Sequence, residues 1–360
     1  MRPDPSPAPV AAVLRVAAES AYPTLAPGPR VRVAAYAPFV ARHGIELSFH
    51  SHVSDDEYRV LSGPDRRLAK TAVVARCAAR VARRTRPADA LVMAHRLLSL
   101  VPVPTRDPPA RLDVYDFDDA LFCDSISTQH GAFRALKREG ERCEAHLRAA
   151  RLVLAGNQYL ASHAMLRAGR VEVVPSCVDP GTQPLRRHAD VEVPTFGWLG
   201  SRSTAPYLHQ VLGVFRAINR ATVRMRLVTM GAGRLPAEPW LEQRPWKLER
   251  EAAMLSSIDA GIMPLPDDPW TRGKCGYKLV RYYAAGIPAV ASPVGVNRAL
   301  LRCGGGLAAT TAKEWEAALE SLAEDAGARR EMGMAGRRLV EAEYSYQRWA
   351  PELAAMLRSI

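Results

Sequence analysis

Residues 259–297 constrain this chain more than any other stretch: DAGIMPLPDDPWTRGKCGYKLVRYYAAGIPAVASPVGVN. A short apolar run (Ala260, Gly261, Ile262, Met263) ends in a Pro-rich loop. A basic, Gly-punctuated turn follows (Thr271, Arg272, Gly273, Lys274, Cys275, Gly276). A helical pattern over 277–285 stops at Gly286, and a second apolar run, 287–291, leads into another Gly-containing loop. Strand, loop, helix, strand, loop is the unit of an α/β protein with a parallel sheet. Ligands of such sheets bind where loops leave the carboxyl ends of the strands. Arg272, Lys274 and Lys278, with free backbone N–H groups at a helix start, suit a diphosphate.

The chain has 360 residues, enough for two domains of ordinary size, and a hydrophobic content of 48% that can fill two cores. No run approaches about eighteen apolar residues, so no transmembrane helix is expected. The start, MRPDPSPAP, reads as a loose tail over 1–9 rather than a signal peptide. Six cysteines lie scattered without a CxxC pair, which fits reduced thiols in a cytoplasm and offers no zinc spacing. Net charge is +12, carried almost wholly by Arg, since Lys occurs six times. Such a chain attracts anions. Its cations are dispersed rather than interleaved with aromatics, so no nucleic-acid partner is expected.

The same α/β grammar recurs along the chain. Residues 10–18 read as a first strand, 22–30 as a Pro- and Gly-rich loop, 31–43 as a helix and 45–49 as the next strand. A basic helix over 65–86 carries Arg66, Lys70, Arg76, Arg80 and Arg84 at spacings near four. It reads as a solvated face or as a peripheral contact with an anionic inner-membrane surface. Strands at 90–93 and 112–115 follow, the second running into Asp116, Asp118 and Asp119. These carboxylates either cap the next helix or face a cleft. A charged helix over 131–151 and strands at 152–155 and 171–174 complete a first domain, 10–182. A polar linker, 183–193, precedes a second domain, 194–344. That domain opens with a strand into Gly200, Ser201, Arg202 and Ser203, a turn in which glycine, hydroxyls and an arginine can approach an anion. Thr204 is placed to cap a helix over 205–218. Another strand, 225–230, ends at Gly231, and Trp246 and Glu251 open a further helix. Residues 345–360 read as a last helix.

The run AAGIPAV–ASPVGVN, with GIMPLPDDPW and GKCGYK before it, resembles the nucleotide-sugar half of retaining glycosyltransferases of family 4, also called group 1. The resemblance covers most of 150–360, and 10–125 more loosely. It implies the GT-B fold, two Rossmann-like domains facing across a cleft. It also implies transfer of a sugar from a nucleotide-diphosphate sugar, UDP- or GDP-linked, to an acceptor such as a small natural-product metabolite. Configuration would be retained, and no metal or other cofactor would be needed. On this resemblance Gly200–Ser203, Arg272, Lys274 and Lys278 would hold the donor diphosphate. Gly231, Trp246, Glu251, Cys275, Gly276, Tyr277 and Arg281 would line the nucleotide and sugar. Gly28, Arg30, Arg32 and Asp119 would face the acceptor, and Asp116, Asp118 and Lys278 would be catalytic. Helix 345–360 would cross back to the first domain.

One departure stands out. The family often carries two glutamates eight residues apart, the second holding the ribose hydroxyls. Here Arg281 occupies the second position and the first falls near Gly273. Asp267 and Asp268 are alternative carboxylates in the preceding loop. Rival readings are a degenerate relative that binds nucleotide sugar without transfer, and a basic protein that binds anions or a membrane surface. Nothing in the sequence sets an oligomeric state.

Overall fold

A computed structural model describes residues 12–63, 67–103, 107–123 and 137–360. Two six-stranded sheets form within these residues, and every strand pairing is parallel. The first holds β1 (Leu14–Ser20), β2 (Ile45–Ser51), β3 (Leu91–His95), β4 (Val114–Phe117), β5 (Leu152–Ala155) and β6 (Val171–Val173), in the order β2-β1-β3-β4-β5-β6. The second holds β7 (Thr195–Leu199), β8 (Arg226–Met230), β9 (Leu241–Arg244), β10 (Ala260–Met263), β11 (Ala289–Ala291) and β12 (Gly306–Ala308), in the order β12-β11-β10-β7-β8-β9. Both orders reverse once, beside β1 and beside β7. Such a reversal opens a crevice at the carboxyl ends of the two strands that flank it. In the second sheet those strands are β7 and β10, whose loops carry Gly200 and the 264–276 segment.

Central strands such as TFGWL and AGIM are buried on both faces, as parallel strands covered by helices must be. Helix Tyr277–Ala284 lies against this sheet through Leu279, Val280, Tyr282 and Tyr283. Tyr282 donates its hydroxyl to the Gly197 carbonyl at 3.1 Å and accepts the Leu199 N–H at 3.2 Å. Its ring needs Gly261 beneath it, because a Cβ there would stand 2.3 Å from the ring. Gly286, at φ +68°, turns the chain out of the helix in the left-handed region.

Several local expectations change. The helix expected over 31–43 is broken into short turns: Pro27–Arg32, Ala34–Tyr36, Ala37–Val40 and Ala41–His43. Pro38 removes an N–H and Val33 leaves helical geometry, which interrupts the ladder. Helix 205–218 begins as a 3-10 turn, Ala205–Leu208, and Thr204 does not cap it; its Oγ1 accepts the Ser201 N–H instead. The polar segment LEQR, which carries no apolar alternation, pairs as the edge strand β9. Of the charged helix expected over 131–151, the described part is Glu139–Ala149. The basic helix spans Arg67–Arg83 and Arg66 lies outside the described residues. Within it Arg76 and Arg80 pair with Glu57, and Arg84, just past its end, pairs with Glu19. No described helix is long and apolar enough to cross a membrane.

The last helix, Tyr346–Arg358, packs into the first domain. Tyr346, Leu353 and Leu357 are buried with Val16, Ala18, Tyr36 and Ile45. The Tyr346 hydroxyl donates to the Val31 carbonyl at 3.1 Å, and its ring meets Tyr36 edge-on at 4.8 Å. Leu353→Ala should therefore destabilise the protein by about 2–5 kcal/mol. Amide exchange should rise in β1 and β2 and not in β7 and β8; equal loosening of both sheets would show that this helix does not belong to the first core.

Candidate functional site

Two crevices face one another where the strand orders reverse, and charged side chains fill the seam between them. On the first-domain side, β4 delivers Asp116 and the loop after it delivers Asp118 and Asp119. Asp116 is not a cleft residue. It is 1% exposed and accepts Arg32 Nε at 3.2 Å and His95 Nδ1 at 2.6 Å. Arg32 is buried in turn and also donates to the Val174 carbonyl. The expected acceptor role of Arg32 and the expected catalytic role of Asp116 are thus replaced by a buried ion pair, which removing either partner would leave uncompensated. Burial alone would raise the Asp116 carboxyl; the Arg32 charge and the His95 hydrogen bond outweigh it and hold it below its ordinary value.

His95 is a residue that sequence reasoning missed. With Asp116 accepting from Nδ1, Nε2 is an acceptor whenever the ring is neutral. That atom is buried and has no hydrogen-bond partner among the described residues. It faces Gly28, where an added Cβ would lie 2.9 Å from Nε2 and 3.7 Å from Asp118 Oδ2. Gly28 therefore stands in the first crevice beside two acceptor groups. The only sequence signal was a histidine ending an apolar strand.

Asp119 joins the domains. Its Oδ2 accepts Arg96 at 2.8 Å and its Oδ1 accepts Lys274, from the second domain, at 2.7 Å. Burial would raise its pKa, but these two cations hold it below its ordinary value. Asn157 Nδ2 donates to the Gly273 and Lys274 carbonyls at 3.0 and 3.1 Å. The Cys275 thiol donates to the Asp118 carbonyl at 3.2 Å. Contact is tight: a Cβ on Gly273 would stand 2.6 Å from the Ala120 methyl, and one on Gly156 2.4 Å from Cys275 Sγ. Burial first, then the neighbouring Asp118 charge, pushes the Cys275 thiol far up, so it is a packing thiol and not a nucleophile.

Across the crevice of the second sheet lies a different kind of cation. Lys278 is half-buried, with Nζ 5.4 Å from the Trp198 ring centroid, and no carboxylate pairs with it among the described residues. Desolvation, then the Lys274 charge, lowers it to about 8 against a smaller opposing pull from Asp119. The Gly200 turn runs alongside Trp198, since a Cβ on Gly200 would lie 2.2 Å from that ring. Ser201, Arg202 and Ser203 are exposed on this turn, and Arg202 also lacks a carboxylate partner among the described residues. Gly231, at φ +87°, comes within a would-be Cβ distance of 2.2 Å of the Gly200 carbonyl. Arg272 does not share the ammonium's environment; it pairs with Asp267 at 2.6 Å. Lys274 is engaged by Asp119 and also stands 4.6 Å from the Trp270 ring centroid.

A third group is ordered as a chain. Trp246 Nε1 donates to Glu251 Oε1 at 2.7 Å, and Arg281 donates to Glu251 Oε2 at 2.7 Å. Arg281 also stacks near Tyr277, 5.9 Å from its ring centroid. A carboxylate thus returns beside position 281 from another helix, although Asp267 and Asp268 were the carboxylates considered from sequence. Asp267 holds Arg272 and Asp268 caps Pro269–Arg272. Arg30, from the first domain, reaches to 5.8 Å from the Trp246 ring centroid. Gly276, at φ +65°, lies against Leu300 at the start of helix Tyr277–Ala284. Among the described residues no three His, Cys, Asp or Glu side chains gather as a metal site.

The buried Arg32–Asp116 pair gives a pH signature. A carboxyl held below its ordinary value stabilises the fold fully above the ordinary carboxylate range and loses that contribution as pH falls below this range through its own lowered value. Asp116→Asn should cost about 3–5 kcal/mol at pH 7. In urea denaturation the gap from the parent protein should narrow below about pH 4; a gap that stays constant into acid would contradict the ion-pair account.

Comparison with known proteins agrees with this geometry. A family model described as glycosyl transferase-like matches residues 216–355. No curated protein sequence matches the chain. Among solved structures, the fold is similar to a sucrose-phosphate synthase from Thermosynechococcus elongatus, with TM-score 0.69, 15% identity, and coverage of 96% of this chain and 98% of that one. It is also similar to WaaG, a glycosyltransferase involved in lipopolysaccharide biosynthesis, with TM-score 0.62, 12% identity, and coverage of 95% and 99%. The Anabaena protein Alr3699/HepE, solved with UDP, gives TM-score 0.60 and 14% identity over 96% and 100% of the two chains. The family match lies mostly on the second of two Rossmann-like sheets: that part of the chain is glycosyl transferase-like, and the fold of the whole is the GT-B fold.

Proposed function

We propose that the chain transfers a sugar from a nucleoside-diphosphate sugar to an acceptor with retention of configuration, and that Lys278, Arg202 and the Gly200–Ser203 turn receive the leaving diphosphate. The observation that carries this reading is Lys278, a half-buried cation without a carboxylate partner, set beside a glycine turn at the carboxyl end of β7. Desolvation is unfavourable to an isolated ammonium, and an arriving diphosphate relieves it by supplying the missing counter-charge. As the bond between sugar and diphosphate breaks, negative charge grows on the phosphate oxygens. Cations and N–H dipoles fixed there in advance stabilise that charge without reorganising.

On this reading the cations that meet the diphosphate come from the chain itself. Trp246, held by Glu251, offers a ring face to the base, and the Glu251–Arg281 pair takes the place of the family's ribose-binding glutamate. Asp118 lies at the sugar and acceptor side of the seam, next to Gly28. The departing phosphate takes the acceptor proton, so no separate protein base is required. The Anabaena neighbour was solved with UDP, which makes UDP the first nucleotide to test.

Calorimetric titration with UDP, GDP, dTDP and ADP tests the proposal. One nucleotide should bind, and Lys278→Ala should weaken it by about tenfold or more, the scale of one charge-assisted hydrogen bond. Because Lys278 titrates at about 8, parental affinity should fall as pH rises through that value. Lys278→Arg, which stays charged, should flatten the fall. Absence of binding by all four, or an unchanged pH profile in Lys278→Arg, would refute the assignment.

A further inference from the structure

A cavity of about 370 Å³ lined by Val193, Arg224 and Arg329 lies at the amino-terminal ends of β7 and β8, the end of a parallel sheet that does not bind ligands. The terminal nitrogens of Arg329 there are engaged by the Leu322, Ala323 and Ala189 carbonyls. A second cavity, about 290 Å³, is different. It lies on the domain seam and is lined by Tyr159 of the first domain and by Asp267, Arg272, Gly295 and Arg298 of the second.

Its two guanidinium groups have capacity to bind. Arg272 uses Nε on Asp267, and Arg298 uses Nε on the Pro293 carbonyl at 3.3 Å. The terminal nitrogens of both have no partner among the described residues, and both side chains are exposed. Two cations against one carboxylate leave the cavity positive. The two arginines are also held in register. Gly295, at φ +53°, packs its backbone on Arg272, and a Cβ there would stand 2.6 Å from the Arg272 carbonyl oxygen. Paired arginine forks on a fixed backbone match the geometry of phosphate oxygens.

We propose that this cavity is a phosphate subsite for the acceptor. Of the groups expected at the donor diphosphate, Arg272 lines this cavity, whereas Lys278, Arg202 and the Gly200 turn do not. Arg272 and Lys274 are two positions apart, a reach of at most about 7 Å. A phosphomonoester seated on Arg272 and Arg298 would therefore leave the rest of a small acceptor directed at the Lys274–Asp119 seam. The proposal rests on the donor reading above. The same phosphate chemistry is carried by a soluble phosphorylated acceptor and by a lipid headgroup.

The test uses the full chain saturated with the nucleotide that binds it, titrated with glucose 6-phosphate, inorganic phosphate and glucose. A parallel arm uses phosphatidic acid and phosphatidylcholine vesicles. Glucose 6-phosphate and phosphate should bind and glucose should not. Arg298→Ala should weaken both by about tenfold while nucleotide affinity holds, and Arg298→Lys should restore part of the loss. Binding to phosphatidic acid vesicles alone, lost in Arg298→Ala, would assign the phosphate to a lipid. Failure of every phosphate probe, or equal weakening of nucleotide and phosphate by Arg298→Ala, would overturn the subsite. If no nucleotide binds, the donor reading fails by itself. Phosphate titration of Lys278→Ala with and without Arg298→Ala then still decides the cavity: loss with Arg298 supports it, and indifference overturns it.

Discussion

Asp119 is the point on which the two domains are organised. It holds Arg96 from its own domain and Lys274 from the other, so one half-buried carboxylate fixes two backbones. Hydrogen bonds from Asn157 to the Gly273 and Lys274 carbonyls lie beside it. The result is that the 272–276 segment, which starts the most informative helix of the second sheet, is seated on the strand ends of the first. A single exposed pair of this kind would contribute little. Here the pair is enclosed, and its neighbours Gly156 and Gly273 admit no side chain that would separate the halves.

This arrangement sorts the cations by what they lack. Arg32, Arg96 and Lys274 each have a carboxylate, and so they shape the protein. Lys278 and Arg202 have none among the described residues, and they stand at the crevice of the second sheet. Arg272 and Arg298 fall between, with one nitrogen used and others open. Counting basic residues near a motif would have treated all of these as equivalent. Their differing partners make the distinction between scaffold and ligand site.

Much of the architecture was legible in the sequence because buried parallel strands are continuous apolar runs. The runs at β3, β4, β5, β7, β8 and β10 could be seen without coordinates. The Gly286 stop and the Tyr277 helix start were equally plain. Less visible were features that depend on distant partners. Nothing local to Asp116 announces that Arg32, 84 positions away, neutralises it. Nothing local to Arg281 announces Glu251. His95 looked like the end of a strand, and β9 looked like a loop because an exposed edge needs no apolar alternation. Elements follow from nearest neighbours in the chain, whereas the state of a charge follows from neighbours in space.

The position of the last helix has a consequence for biosynthesis. The first sheet is made early, but Tyr346, Leu353 and Leu357 complete its core and are translated only after the whole second sheet. Domains generally fold as units, the amino-terminal one first, as the chain emerges. This first domain emerges with an apolar face uncovered and stays so until helix Tyr346–Arg358 has followed it. The second domain, whose strands end by Ala308, can close before the first is finished. Emergence of this helix thus becomes a folding event, and a nascent chain stalled before it would display a hydrophobic surface that the folded protein covers.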